Sequence, residues 1–338
     1  MNVRTLSLAA LSVLFLAPAA RAWDRGEATT FARLPSPTRN PEGIALDKST
    51  GDVYVADFDV GRPKGVGQVV VFNREGKLLR VLNVTGSSTA LLGLDFHPTT
   101  HALLVIDFGN QQVLEVNRLT GQSKVFATVS SKAGASGLNA LTFDAQGNVY
   151  ISDSFLGIIW KTGPGGGKAD PWVEDDTLKP QGVPPFGANG LAFNKARNAL
   201  FVANTANDSI VRIAVQSGVP GKVEVLTNSI NGADGLAIDE VDNIWVCANQ
   251  SDEIVVVDPT GKAIAKLGDF DGIGERGEPR GFLFPASLVF SGEFVLVTNL
   301  SLDTSGFGFQ TVDTQWTKQV NTHTVAKIKR RIPPVHDD

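Results

Sequence analysis

The chain has 338 residues, of which 42% are hydrophobic and 19% charged, and its mean hydropathy is +0.03. This composition is typical of a folded globular protein and excludes disordered and fibrous classes. Thirty basic residues against 35 acidic ones give a net charge of -5, so nucleic acid is not an expected partner. The single cysteine, Cys247, excludes an intramolecular disulfide and any multi-cysteine zinc site, and we expect it to be an inert core thiol. A metal ion would have to be held by oxygen atoms or by the four histidines.

The first 22 residues have the pattern of a secretory signal peptide. Arg4 provides positive charge, an apolar run of about 13 residues follows, and Ala20-Arg21-Ala22 has the small-x-small form of a cleavage site. The run is shorter than the roughly 20 residues that span a bilayer, which argues against a membrane anchor. We therefore expect residues 1–22 to be removed, and the protein to be secreted or periplasmic and free of the membrane.

One pattern recurs along the rest of the chain: a polar or small residue, alternating small and large apolar residues, a turn, and a second β-rich run that ends in Asp or Asn. The copies begin at Glu42, Leu92, Asn139, Asn189, Asp234 and Ala286. The second runs end at Asp57, Asp107, Asp153, Asn204, Asn249 and Asn299, where the polar side chains are expected to shape turns. A repeat of this length indicates one repetitive architecture rather than two unrelated domains.

Further β-rich runs separated by turn signals supply a third and a fourth strand, and no stretch has convincing helical periodicity. The sequence therefore predicts an all-β, six-bladed propeller with four antiparallel strands per blade, formed as a single domain by residues 23–338. After Asn299 only HTVAKIKRR is a clear strand. We expect the N-terminal run TTFARL to complete the last blade and close the ring.

The first strand of each blade is innermost in a propeller, so the first residues of the six copies converge at one end of the central channel. Glu42, Asn139, Asn189 and Asp234 bring two carboxylates and two carboxamides to this point. They predict a site for a hard cation, because a cation offsets the repulsion between carboxylates and amide oxygens limit the total charge. Ca²⁺ suits such a site best, with Mg²⁺ or Mn²⁺ as alternatives. The simpler interpretation is that these side chains cap strands or bind channel water.

The motifs PEGIALD, GLNALTFDAQGNVYISD, GANGLAFN and ADGLAIDEVDNIWVCAN resemble the gluconolactonase, luciferin-regenerating enzyme and senescence marker protein superfamily. The resemblance implies a six-bladed propeller with a catalytic divalent cation, usually Ca²⁺, and hydrolysis of lactones or related esters. It also implies that Glu42, Asn189 and Asp234 are metal ligands, that Asn139 is a ligand or substrate contact, and that Asp234 is the acid-base or nucleophilic carboxylate. Many sugar lactonases of this group have Arg two residues before the equivalent of Asn139, where this chain has Gly137, which argues against gluconolactone itself as the substrate.

Long loops on the metal face should select the substrate. The candidates are residues 164–187, 268–284 and 301–321, and their aromatic residues include Trp172, Phe186, Phe307, Phe309 and Trp316. We expect Trp172 and Phe186, with Asn139, to contact substrate. The alternative is that the aromatic side chains only pack the loops onto the body of the protein.

The leading functional prediction is an exported, calcium-dependent hydrolase of a small-molecule lactone or ester. Two alternatives remain open. One is a non-catalytic, metal-stabilised propeller that binds a protein or carbohydrate through its loop face; the other is a hydrolase of phosphotriesters or fluorophosphates. His97 and His101 fall at the turn between the first two strands of the second blade, on the opposite face, and are predicted to be turn or surface residues. The oligomeric state is not predicted.

Overall fold

A computed structural model describes residues 24–62, 64–130 and 136–332. The predicted signal peptide, residues 1–22, lies outside the described residues. The predicted all-β class is confirmed, since the helical structure in these ranges is limited to two 3₁₀ turns, Asp176–Leu178 and Thr304–Phe307, and the four-residue helix α1, Thr314–Thr317. None of these described helices has the length and apolar character needed to cross a membrane.

The strands are numbered in chain order and most of them fall into successive groups of four. The first strand, β1, is Thr29–Arg33. The next group is β2 (Pro41–Leu46), β3 (Val53–Asp57), β4 (Gln68–Phe72) and β5 (Leu78–Asn83). It is followed by β6 (Leu91–Phe96), β7 (Leu103–Asp107), β8 (Gln112–Val116) and β9 (Ser123–Val129). The third group is β10 (Leu138–Phe143), β11 (Val149–Asp153), β12 (Ile158–Gly163) and β13 (Gly166–Glu174).

The second half of the chain continues this order. It contains β14 (Ala188–Phe193), β15 (Ala199–Asn204), β16 (Ser209–Gln216) and β17 (Val219–Thr227). Then come β18 (Ala233–Ile238), β19 (Ile244–Ala248), β20 (Glu253–Val257) and β21 (Ala263–Leu267). A separate hairpin, β22 (Phe270–Ile273) and β23 (Pro279–Gly281), lies in a segment predicted to be a loop. The last strands are β24 (Pro285–Ser291), β25 (Phe294–Asn299) and β26 (Thr324–Lys329).

Within each group, neighbouring strands pair antiparallel in chain order. The groups β6–β9 and β10–β13 are joined by a parallel contact between β9 and β13, which makes one eight-stranded sheet of the two. The N-terminal strand β1 pairs with β26, so the last sheet has the order β1-β26-β25-β24. The chain therefore closes on itself where the sequence predicted it.

The first strands of the groups pack side by side around a central channel. β2 contacts β6, and the series continues through β10, β14, β18 and β24 back to β2. Apolar side chains fill the space between adjacent sheets; for example, Val55 and Leu296 lie in one buried cluster with Ala32 of β1. Burial of apolar surface between sheets, rather than any single bond, holds the ring together.

Each of these inner strands has a β-bulge at the same place. The pairing register shifts at Glu42, Leu92, Asn139, Asn189, Asp234 and Ala286, together with the residue that follows each of them. The second bulge residue lies against the next inner strand: a Cβ on Gly43 would be 2.4 Å from the Leu92 carbonyl oxygen, and one on Gly190 would be 2.6 Å from that of Asp234. Glycine thus permits the close approach, and the bulge re-aims the preceding side chain.

Candidate metal centre and active site

A small cavity of about 50 Å³ lies at one end of the channel. The side chains that the sequence predicted to converge, Glu42, Asn139, Asn189 and Asp234, all line it. Each is buried, with 4–5% of its surface exposed. Polar side chains from inner strands β2, β10, β14 and β18 therefore share one small space, as their common place on the bulges requires.

The two carboxylates are in an unfavourable environment when no cation is present. Burial raises the pKa of Glu42 well above its usual value, and the charge of Asp234 raises it further. Burial also raises the pKa of Asp234 to about 7, although hydrogen bonds from Asn249, Asn189 and the backbone N–H of Gly235 oppose this shift. The charged forms are therefore costly unless a positive charge accompanies them.

The oxygens of this site fit a hard cation. Glu42 Oε2 and Asp234 Oδ1 are buried and have no hydrogen-bond partner, although buried polar atoms normally have one. In the part of the chain that the structure describes, no group of three or more His, Cys, Asp or Glu side chains is arranged to hold a metal ion. A site here would combine two carboxylates with two amides, and such oxygen ligands suit Ca²⁺.

The two amides are oriented by hydroxyl groups. Asn139 donates its Nδ2 to Ser154 Oγ at 3.2 Å, and Asn189 donates to Thr205 Oγ1 at 2.9 Å. The two hydroxyls in turn donate to the carbonyl oxygens of Ala188 and Ala233 at 2.7 Å. Since each Nδ2 is engaged with a hydroxyl, each amide oxygen, Oδ1, is the atom that remains for a ligand.

Asn249 is a site residue that the sequence reasoning missed. It lines the cavity and donates its Nδ2 to Asp234 Oδ2 at 2.8 Å. The sequence pattern places it with the residues that end the second strands and are expected to shape turns. Asp153 does have that role, since it accepts hydrogen bonds from the backbone N–H groups of Phe155 and Leu156. The available signal was that these second strands end on the same face as the site.

Most of the remaining cavity wall is apolar. It is formed by Phe58, Leu92, Pro184, Phe186, Phe284, Leu300, Leu302, Phe307 and Phe309. The structure thus places Phe186 at the cavity, as expected. It does not place Trp172 there: this ring packs edge-on against Tyr150 at 4.9 Å, and its Nε1 donates to the Gly218 carbonyl at 3.0 Å. Trp172 lies away from the cavity because residues 166–174 form β13, the fourth strand of its group, instead of a loop over the site.

Three other residues considered in the sequence, His97, Cys247 and Trp316, lie outside the cavity lining. His97 lies at a turn, but it is fully buried rather than at the surface, with Nε2 at 2.9 Å from the Gly147 carbonyl oxygen and the ring against Phe143. Cys247 is a buried free thiol, and burial raises its pKa. Trp316 packs against Phe270 instead of lining the cavity.

A family model described as SMP-30/gluconolactonase/LRE-like matches residues 99–268, half of the chain. The chain belongs to this family. The resemblance found in the sequence motifs is therefore confirmed. An NHL repeat model also matches residues 38–72, which include β2, β3 and β4.

Individual relatives of this family member are distant. The Arabidopsis thaliana protein strictosidine synthase-like 12 is 24% identical over 68% of this chain and 56% of its own length. The chain therefore spans about half the length of the curated relatives it matches. A solved luciferin-regenerating enzyme has a TM-score of 0.63 at 15% identity, with 87% of this chain and 93% of that chain covered. Regucalcin from Agrobacterium tumefaciens, described as a calcium-binding protein, has a TM-score of 0.63 at 17% identity, with 92% and 99% covered. At these identities the two structures establish the likeness of fold.

Proposed function

We propose that this protein is an exported, calcium-dependent hydrolase of a lactone or related ester, built on a propeller of six four-stranded blades. The observation that carries the proposal is the buried pair Glu42 and Asp234, each with an unpartnered carboxylate oxygen, beside two amides in one cavity. Membership of a family whose description includes gluconolactonase supports the reaction class. The calcium-binding neighbour supports the choice of metal.

Glu42, Asn139, Asn189 and Asp234 would hold the cation. When bound, Ca²⁺ supplies a positive charge that polarises the ester carbonyl and stabilises negative charge on its oxygen. Asn139 and Asn189 are pre-oriented for this role because Ser154 and Thr205 engage their Nδ2 groups. Little reorganisation of the protein is then needed during reaction.

Asp234 is the residue we propose for proton transfer or nucleophilic attack. Its Oδ2 is held by Asn249, whereas its Oδ1 has no protein partner. That oxygen either takes a proton from the water that attacks the carbonyl carbon, or attacks this carbon itself to form an anhydride that water then cleaves; in both routes the ester C–O bond breaks and its oxygen leaves as the alcohol. In both routes Asn249 acts as a positioning residue that fixes the carboxylate plane.

The test is hydrolysis of a panel of aliphatic, aromatic and sugar lactones, with Ca²⁺ and after chelation. Turnover should disappear on chelation and return with Ca²⁺. Asp234→Asn should lower turnover by about a thousandfold or more while the protein remains folded. The matched control is Asp170→Asn, the same change at an exposed carboxylate on the outer strand β13, which should leave turnover unchanged.

Two results would change the proposal. Full turnover by Asp234→Asn would remove this residue from the chemistry. Absence of turnover in folded, calcium-loaded protein would favour the non-catalytic propeller that binds a protein or carbohydrate through its loop face, or a phosphorus ester as substrate. Export is tested separately, by sequencing the N-terminus of the mature protein, which should begin at Trp23.

A further inference from the structure

We infer that the cavity selects lactones or esters that carry an extended apolar group, and that it discriminates against polyhydroxylated ones. This inference rests on the proposed hydrolase and names the substrate class of the same site. Three observations carry it: the chemistry of the wall, a line of contacting phenylalanine rings, and an aromatic ring at the position beside Gly137.

The wall offers few partners to a substrate with many hydroxyl groups. Apart from the four proposed ligand residues, the polar side chains among the described lining residues are Thr205, Asn249 and Thr304. Thr205 and Asn249 already hydrogen-bond within the protein. Lysine, arginine and histidine are absent from this set of lining residues. Hydroxyl groups on a bound sugar would therefore lose their bonds to water without replacement, which disfavours binding.

Four phenylalanine rings, Phe58, Phe108, Phe155 and Phe186, contact one another in series, and we call them the phenylalanine arc. Phe58 contacts Phe108 with ring centroids 5.8 Å apart, Phe108 contacts Phe155 at 5.7 Å, and Phe155 contacts Phe186 at 5.6 Å. The two ends of the arc, Phe58 and Phe186, line the cavity. The rings come from segments that follow β3, β7 and β11 and precede β14, so neighbouring groups of strands contribute to one row of contacting rings that reaches the cavity at both ends.

Gly137 makes room for Phe155, one of the two middle rings of the phenylalanine arc. A Cβ on Gly137 would lie 2.7 Å from two carbon atoms of the Phe155 ring, so a larger residue here would have to displace that ring. Phe155 is held in place by Phe108 and Phe186 on either side. The Phe155 ring thus fills the space beside Gly137, and position 137 itself has no side chain that could bind substrate hydroxyls.

Phe307 and Phe309 line the cavity from the loop that follows β25. Their ring centroids are 6.3 Å apart, and 42% of Phe307 is exposed to solvent. The 3₁₀ turn that carries Phe307 is fixed at its start by Asp303, which accepts from the backbone N–H of Ser305 at 3.0 Å. An exposed aromatic ring on an ordered turn at a cavity is suited to cover an apolar ligand.

The experiment compares aliphatic lactones of increasing side-chain length with glucono-δ-lactone, at saturating Ca²⁺. Each added methylene that reaches the wall should raise kcat/KM by about fourfold until the cavity is filled. Phe307→Ala should flatten this dependence on length. The matched control is Trp316→Ala, an aromatic residue of the same loop with 37% exposure that does not line the cavity; it should leave the dependence unchanged.

The outcomes separate this inference from the proposed function. Turnover that is fastest with glucono-δ-lactone, or a length dependence that Phe307→Ala leaves intact, would overturn the inference while the hydrolase stands. If no lactone is turned over, the proposed function fails, and calorimetric titration with unreactive lactams of the same series tests the inference alone. Tighter binding of longer alkyl lactams would support an apolar ligand class, and equal or weaker binding would overturn it.

Discussion

Calcium should stabilise the folded protein through Glu42 and Asp234 even when no substrate is present. A ligand that binds only the folded state stabilises it by RT ln(1 + [L]/Kd), which is about 2.7 kcal/mol at a hundredfold excess over Kd. At about 2.1 cal/mol/K of unfolding entropy per residue, this corresponds to a rise in Tm of about 4 °C for a protein of this size. The measurement is thermal unfolding in chelator and in a series of Ca²⁺ concentrations.

Variants locate this effect in the cavity. Glu42→Gln and Asp234→Asn each remove one of two carboxylates that burial places in a costly environment, so each should raise Tm in chelator and abolish the shift caused by Ca²⁺. The exposed Asp170→Asn should show the wild-type shift. If Ca²⁺ raises Tm equally in all of these proteins, or does not raise it in the wild type at millimolar concentration, the cavity is not the cation site and the reasoning from the unpartnered oxygens is refuted.

Other predictions concern residues around the site. Asn249→Ala should lower kcat by about ten- to a hundredfold, with a smaller change in KM, because Asp234 Oδ2 loses its donor. Burial and the facing carboxyl of Asp313 raise the pKa of Asp252 to about 8, and that of Asp313 is raised to about 6. The folded chain binds these protons more tightly than the unfolded chain, so the free energy of unfolding should fall as pH rises from about 4 to about 8. Denaturant titration at a series of pH values measures this fall. Asp252→Asn should remove much of that fall and raise the free energy of unfolding at pH 8 by about 1–3 kcal/mol, since the new amide can donate to the unpartnered Asp313 Oδ2. Gly190→Ala should lower Tm, because the added Cβ would meet the backbone of Asp234. A Tm equal to that of the wild type would contradict this steric role.

The repeat allowed the sequence to locate the centre of the site. Because the copies recur at similar spacing, Glu42, Asn139, Asn189 and Asp234 had to occupy equivalent places, and the structure finds them at equivalent bulges facing one cavity. The closing strand β1 was predictable for the same reason, since the last group lacked one strand.

The parts that could not be predicted lie where the repeat ends. The sequence predicts one loop over residues 164–187, whereas β13 takes up the first half of this segment. Trp172 therefore lies on β13, away from the cavity, while Phe186 reaches it. No local pattern separates these two aromatic residues; the difference arises from pairing with β12. Asn249 was missed for a related reason, because its partner Asp234 is on the adjacent strand and a strand-end Asn has the same sequence signature whether it shapes a turn or holds a carboxylate.

The apolar wall and the proposed cation site reinforce each other physically. Phe58, Phe186 and the other apolar side chains give the cavity a wall with few hydrogen-bonding groups, and burial beside this wall makes the charged forms of Glu42 and Asp234 costly. The same low-polarity environment strengthens attraction between those carboxylates and a cation, and between that cation and negative charge developing on a substrate oxygen. An apolar substrate would complete the exclusion of water, whereas a hydroxyl-rich one would carry water in. Selection for an apolar group and activation of the ester carbonyl would therefore depend on the same feature, the apolar wall around Glu42 and Asp234.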